Sequence, residues 1–426
     1  MPEPDPQPGT RDHTLLVLPF TPELLDSPHA LLPIIYRSVT ASLRSHTVLF
    51  CTPRPSIPST SSPALSLANT DQLHASPSEQ LYAALRRDPR AHFHALQTFL
   101  GKVYATMAAA QWQVGRVLMD VEVHFLGEDQ DHGWETVPKR KGTEVVVLEG
   151  HQDIIPPSVT SQFPSPRVIP SADLDDASTL PTSPTPPSSS APSASPGPPV
   201  VALGGTFDHL HAAHKLLLQL ALFLATRKLI VGVMADKTLA SKSNARLVEP
   251  IERRIGAVEE FLLRCGAVRP RASPTRTPTS TPVGKLVDGI TGGDGRFGLS
   301  GGPKPDADVS AVVMDVVEIQ DAFGPTAYDP DIQALVVSRE TLSGGQKVNS
   351  TRSDKRLSQL EVFVIDVISS DLHTGHYGAA AGEVEGLAKD LRDVMDEGRL
   401  KEVKMGSTAI RQWIADGADR EVREEA

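Results

Sequence analysis

The sequence predicts an α/β protein: a doubly wound parallel sheet, preceded by a smaller α/β module and a linker. Three observations carry that reading. From residue 200 onward, short strand-like apolar runs alternate with helix-like periods, at 200–203, 212–227, 229–235 and the helix opened by Pro250. Strands apolar on both faces in β-α-β-α order call for a parallel sheet covered by helices on both sides. Between residues 151 and 199 the composition turns to Pro, Ser and Thr, as in PTSPTPPSSSAPSASPGPP, which cannot bury enough apolar surface to offset its ordering entropy. Ahead of that tract, residues 1–150 mix helix and strand patterns over an ordinary domain length. The expected divisions are therefore 1–150, an N-terminal α/β module without an assigned role; 151–199, a flexible, disordered linker; and 200–426, the doubly wound domain.

In the module, residues 14–19 and 47–51 read as strands around a helical pattern at 29–44, and 53–76 as Pro/Ser/Thr loop. Residues 78–118 predict two helices broken near Asp88-Pro89; strands at 119–125 and 143–148 follow, with Lys139-Arg140-Lys141 in a hairpin turn between them. His92 and His94, two apart, diverge on a helix and do not suit a metal pair. In the second domain, 236–244 is a polar loop with two lysines, and Ile251, Ile255, Val258 and Leu262 share one helix face. Residues 270–308, rich first in Pro/Thr and then in Gly, read as an inserted loop. Strands return at 309–317, 334–337 (ending at a Gly344-Gly345 turn) and 361–368, then helices at 383–397 and after Gly406-Ser407-Thr408. Asp371, His373 and His376 fall in loop-like sequence and are not taken as metal ligands.

The chain of 426 residues has a net charge of −11, which argues against a nucleic-acid partner. No apolar run reaches the roughly 20 residues of a membrane span. Two distant cysteines fit a reducing, cytoplasmic setting, and the acidic, proline-rich start resembles neither a secretory signal nor a transit peptide.

Chemistry concentrates in VVALGGTFDHLHAAH, residues 200–214. A buried strand, a Gly204-Gly205 turn and a helix start place backbone N–H groups and a positive helix end around an anion. Gly205 permits close approach of a phosphate, and Thr206 adds a hydroxyl donor. His211 and His214, three apart in the first turn, face one side. This suits a nucleoside triphosphate without the Lys-Ser/Thr of a P-loop.

GGTFDHLHAAH resembles the GTFDxxHxxH signature of the nucleotidyltransferase superfamily, specifically the eukaryotic type of phosphopantetheine adenylyltransferase. DAFGPTAYDPDIQALVVSRETLSGGQKVN (321–349) and KMGSTAIRQ (404–412) are similar to further stretches of that family, in the same order, so the resemblance covers roughly residues 200–416. It implies a Rossmann-like nucleotidyltransferase fold and transfer of the adenylyl group of ATP to 4′-phosphopantetheine, giving dephospho-CoA and pyrophosphate. The substrates would be ATP, with its Mg²⁺ held mostly by phosphates and water, and 4′-phosphopantetheine; association with other coenzyme A biosynthesis enzymes is a further expectation. Thr206, His211, His214 and Lys242 would be catalytic, with Lys237 a rival to Lys242 in the same loop. Gly204, Gly205, Phe207, Asp208, Ser338, Arg339, Gly406, Ser407, Thr408 and Arg411 would line the ATP and acceptor site. Asp208 is open between orienting the loop, holding a metal and capping the helix; Arg253 is open between function and a helix-surface charge. Met405-Gly406 replaces the family's usual Ile-Ser, removing one hydroxyl, and no GxxxxGK[ST] motif of a fused kinase occurs. Two other readings remain: a nucleotidyltransferase of cytidylyltransferase type acting on another phospho-acceptor, and a non-catalytic scaffold. The motifs from residue 200 onward further imply that 200–426 folds and turns over alone.

Overall fold

The protein is described by a computed structural model over residues 11–51, 77–126, 140–155, 163, 165–170, 196–265, 268–270, 312–366 and 406–424. Outside these lie the whole of the predicted 53–76 loop, residues 171–195 of the linker, residues 271–308 of the inserted loop, the 383–397 helix and the Asp371/His373/His376 group.

The first unit is a five-stranded, all-parallel sheet in the order β3-β2-β1-β4-β5. Its strands are β1 (Arg11–Pro19), β2 (Ser42–Cys51), β3 (Asp120–Leu126), β4 (Thr143–Leu148) and β5 (Arg167–Ile169). Helices α1 (Pro22–Asp26) and α2 (Leu32–Thr40) connect β1 to β2, and α3 (Pro77–Arg87) and α4 (Pro89–Gln113) precede β3. The break between α3 and α4 falls at Asp88, where Pro89 cannot continue a helix but suits the first turn of the next. Two expectations are corrected. β3 and β4 are parallel and separated by β2 and β1, so Arg140 and Lys141 precede β4 without a hairpin; Lys139 lies outside the described residues. β5 adds to the sheet from within the predicted linker, because the apolar islands around Ile154-Ile155 and Arg167–Ile169 supply buried or pairing residues inside a Pro-rich tract.

The second unit is a six-stranded parallel sheet in the order β11-β10-β6-β7-β9-β8. Its strands are β6 (Val200–Gly205), β7 (Lys228–Met234), β8 (Val268–Pro270), β9 (Val312–Ile319), β10 (Ala334–Ser338) and β11 (Glu361–Ile365). Helices α5 (Ala212–Leu224), the short α6 (Asp236–Leu239), α7 (Ile251–Arg264), α8 (Leu342–Asp354) and α9 (Ser407–Glu424) connect or cover them. This is the doubly wound parallel arrangement that the sequence predicts. The chain runs outward from β6 on one side and returns to β10 on the other, so β6 and β10 flank the switch point, where such sheets bind ligands at their carboxyl ends.

Gly344 and Gly345 lie within α8 and form no turn after β10. Gly345 is buried, and a Cβ there would reach ordinary contact with Val337 (3.5 Å) and with Leu335 and Val362 (3.7 Å each), so α8 lies on β10 and β11 with room for a methyl group at this position. The two units share one apolar core, running from Leu16, Phe50 and Phe99 through Leu203 and Leu220 to Val231, with α4 laid against α5. Among the described residues no helix is long and apolar enough to cross a membrane.

Candidate active site

The strands of the second sheet are parallel, so the segments after β6, β7, β10 and β11 emerge along one edge. The loop from Thr206 to His211 leaves β6 between that edge and the start of α9. Gly204 and Gly205 are still strand residues; the predicted Gly-Gly turn is displaced to Phe207 and His209, which hold φ of 50° and 45°. A non-glycine residue in the left-handed region is uncommon, and such strain concentrates at functional sites. Gly205 is required by a close approach of another kind: a Cβ there would meet the buried Phe207 ring at 3.1 Å.

Asp208 holds this loop in place. Its side chain is fully buried; Oδ1 accepts from the Glu249 backbone N–H (2.9 Å) and Oδ2 from Arg411 Nη1 (2.6 Å). The carboxylate is therefore committed to the Glu249 backbone and Arg411 and does not cap α5, whose N-cap is His211. Asp208, His209 and Glu249 lie close enough for a metal. However, Asp208 is paired with Arg411, Glu249 with Arg253 (2.8 Å), and His209 Nε2 lies 2.9 Å from the Leu247 carbonyl, to which only a protonated nitrogen can bond. That cluster is a loop lock.

His211 and His214 come together as the sequence predicts. Their rings stack with centroids 3.9 Å apart, and His214 also lies against Phe207 at 5.2 Å. The first turn of α9 sits above them. Ser407 Oγ donates to the Asp208 carbonyl (3.1 Å) and lies 3.3 Å from His211 Nε2, so its oxygen is left to accept from that nitrogen. Ser407 thus joins the histidines, with Gly406 buried behind it and Thr408 exposed. Arg411, only 2% exposed, donates to Asp208, to the Ser243 carbonyl (3.0 Å) and to Thr408 Oγ1 (3.3 Å) in its own helix, and so ties the segments after β6 and β7 to α9. Its described contacts are all within the protein, on three different partners.

Lys242 and Lys237 are both exposed on the segment after β7, which is anchored by Arg411 at Ser243 and by a hydrogen bond from Asn244 to Gln412 (3.0 Å). Ser338 ends β10 beside Thr341 (3.1 Å), and Arg339 is bound to Asp366 at the end of β11, with Nε 2.8 Å from Oδ1. Thr206 is half-buried.

Sequence reasoning weighed Arg253, which is largely exposed and paired with Glu249, and passed over its neighbour. Arg254 is fully buried and donates to the carbonyls of Thr206 (2.7 Å), Met234 (2.8 Å) and Glu249 (2.8 Å) and to Asp236. The signal was present: Arg254 lies three after Ile251 and four before Val258, on the buried face of α7. Its guanidinium replaces solvent around three carbonyls at the carboxyl edge, and fixes Thr206 from beneath.

A parallel α/β sheet, a strained loop after its central strand, stacked histidines at the next helix start and a second helix N-terminus above them form one candidate site at the carboxyl edge. Residues 202–349 match the cytidylyltransferase-like family model. The chain is 35% identical over 169 residues to the phosphopantetheine adenylyltransferase of Saccharomyces cerevisiae, covering 40% of this chain and 41% of the yeast protein. It is 31% identical to an uncharacterized Schizosaccharomyces pombe protein, covering 40% of each chain. To the phosphopantetheine adenylyltransferase of Pyrococcus horikoshii it is 28% identical over 172 residues, covering 40% of this chain and 80% of the archaeal one. The chain thus spans about two-fifths of the length of the two fungal relatives. The resemblance to phosphopantetheine adenylyltransferases read from the motifs is borne out.

Proposed function

We propose that the chain transfers the adenylyl group of ATP to 4′-phosphopantetheine, releasing pyrophosphate and forming dephospho-CoA. The observation that carries this reading is the convergence of His211, His214, Ser407 and the α9 N-terminus over the Thr206 loop, together with relatives named for that reaction. Adenylyl transfer needs no covalent help from the protein. The acceptor phosphate attacks the α-phosphorus in line, pyrophosphate leaves, and catalysis is positioning plus stabilisation of charge on the phosphoryl oxygens.

In this reading Thr206, held by Arg254 from beneath, bridges the acceptor phosphate and the α-phosphate. His211 and His214 donate to the triphosphate, and the α9 N-terminus receives the β- and γ-phosphates at Gly406, Ser407 and Thr408. Lys242 closes over the phosphates from its exposed loop; Ser338 and Arg339 flank the nucleotide or the pantetheine arm across the switch point. Mg²⁺ enters as MgATP. With Asp208 and Glu249 already paired to arginines, its ligands would be phosphate oxygens and water.

His214→Ala tests this directly. Loss of a donor that acts as charge redistributes should lower kcat by about a hundred- to a thousandfold, whereas loss of a ground-state contact would raise KM and leave kcat unchanged. The assay is steady-state pyrophosphate release, with the fold checked by circular dichroism. Offering ATP and CTP against a panel of phospho-acceptors separates this reading from the cytidylyltransferase type. A folded His214→Ala protein with near-normal kcat overturns the role of this helix start.

A further inference from the structure

Strand β3 lies at the edge of the first sheet, where alternate backbone carbonyls point away from the sheet and require partners. Helix α5 supplies them. Lys215 donates to the Val121 carbonyl (2.9 Å), and Gln219 Nε2 donates to the Val123 carbonyl (2.8 Å), while Gln219 Oε1 accepts from Tyr104 on α4 (3.0 Å). The spacings match: residues four apart on a helix rise about 6 Å, and residues two apart on a strand advance about 6.6 Å. Lys215 and Gln219 therefore read the β3 edge in one register.

The Lys215 side chain is 3% exposed; its ammonium also pairs with Asp120, lies 3.6 Å from Glu122 Oε1 and sits 5.6 Å from the centre of the Phe261 ring. Glu122 is buried and also bound by His124 (2.9 Å) and Arg264. Lys215 directly follows His214. A second polar tie crosses the same seam: buried Gln97 on α4 donates to Asp366 Oδ2 (3.1 Å), and the other oxygen of Asp366 holds Arg339. Apolar packing alone would cover α5 at lower desolvation cost. A polar set of this spacing instead disfavours a one-turn slip of the helix.

We propose that the first sheet positions the transferase site from behind, with Lys215 setting the first turn of α5 and so the His214 ring, and Gln97 setting Arg339 through Asp366. The inference rests on the reading of His214 and Arg339 as site residues. It makes Lys215 and Gln97 positioning residues that never touch substrate.

The test uses the full chain carrying Lys215→Met, Lys215→Arg or Gln97→Met. Each is measured for kcat, KM for ATP and the imidazole NMR signals, the His214 signal being assigned with His214→Ala. Lys215→Met is expected to lower kcat at least about tenfold by misplacing a donor, with KM for ATP changed less than about twofold and the His214 signal displaced. Lys215→Arg should restore most of kcat and the signal position. Gln97→Met and Asp366→Asn should lower activity by similar factors, and combining them should add little, since both cut one chain. A folded Lys215→Met protein with wild-type kcat and an unmoved His214 signal overturns the proposal. If that variant does not fold, Gln97→Met decides by its kcat and by its non-additivity with Asp366→Asn: wild-type turnover, or full additivity, overturns it. Should the wild-type protein transfer no nucleotide to any acceptor, the proposed function fails, while the His214 signal in the Lys215 variants still reports on the positioning.

Discussion

His46 shows how one buried side chain can tie the first unit to pH. The ring, carried by β2, is fully buried against α2, with Nε2 2.9 Å from Ser38 Oγ, and burial lowers its pKa from 6.5 to about 3. The folded protein therefore holds this ring neutral where the unfolded chain would protonate it. Its contribution to stability is complete above the unfolded value of 6.5 and is lost as pH falls toward about 3. The slope should be roughly 1.4 kcal/mol per pH unit. Urea unfolding of the wild type and of His46→Gln, compared between about pH 6.5 and pH 4, should show that slope in the difference between the two proteins. Parallel pH profiles would mean that the ring is protonated in the fold. Glu122, at the seam, behaves otherwise. Burial pushes its carboxyl up, but Lys215, His124 and Arg264 together hold it well below the usual range. Its contribution is present above the ordinary carboxylate pKa and is lost only in stronger acid.

At the scale of an element, α8 separates two readings of the same glycines. As turn residues, Gly344 and Gly345 would owe their identity to backbone freedom, and alanine would be unfavourable. As helix residues, Gly345→Ala should be neutral or stabilising by up to about 1 kcal/mol, since alanine is the better helix former. A Cβ there reaches only ordinary contact distances, the nearest being 3.5 Å. Gly345→Leu should instead destabilise by about 1–3 kcal/mol by forcing the helix off β10 and β11. Chemical denaturation of both variants checks the pair of signs. A destabilised alanine variant would return these residues to a turn.

At the scale of the whole molecule, one apolar cluster among the described residues spans both units. The seam joins α4 to α5, buries Phe93 against Phe363 at 5.1 Å, and bridges Arg90 to Glu361 and to the Pro196 carbonyl. Cutting the chain at residue 200 would expose the covered face of α5 and leave Lys215 without Asp120 and Glu122. The expectation that 200–426 is self-sufficient is therefore revised: expressed alone, it should be poorly soluble, or fold with kcat well below that of the full chain. Expression and turnover of the fragment beside the full protein measure this. A soluble fragment with full activity would make the first unit dispensable to the site.

The sequence by itself determined the second sheet and the pairing of two histidines in the candidate site. Apolar runs at the strand period separated by helical periods leave little choice but a parallel sheet, and GGTFDHLHAAH puts two histidines on one face of a helix start whatever surrounds it. Both are local consequences of spacing. What only the tertiary structure decided is how distant residues meet. Arg411 lies 203 positions from Asp208, and Lys215 lies 95 from Asp120; burial and pairing fix their roles, and nothing local announces either. A lysine in a mainly apolar helix and an arginine on a buried helix face are ambiguous in sequence. Their meaning depends on whether a carboxylate or a row of carbonyls arrives opposite them, and that is settled by the long-range packing of two sheets into one core.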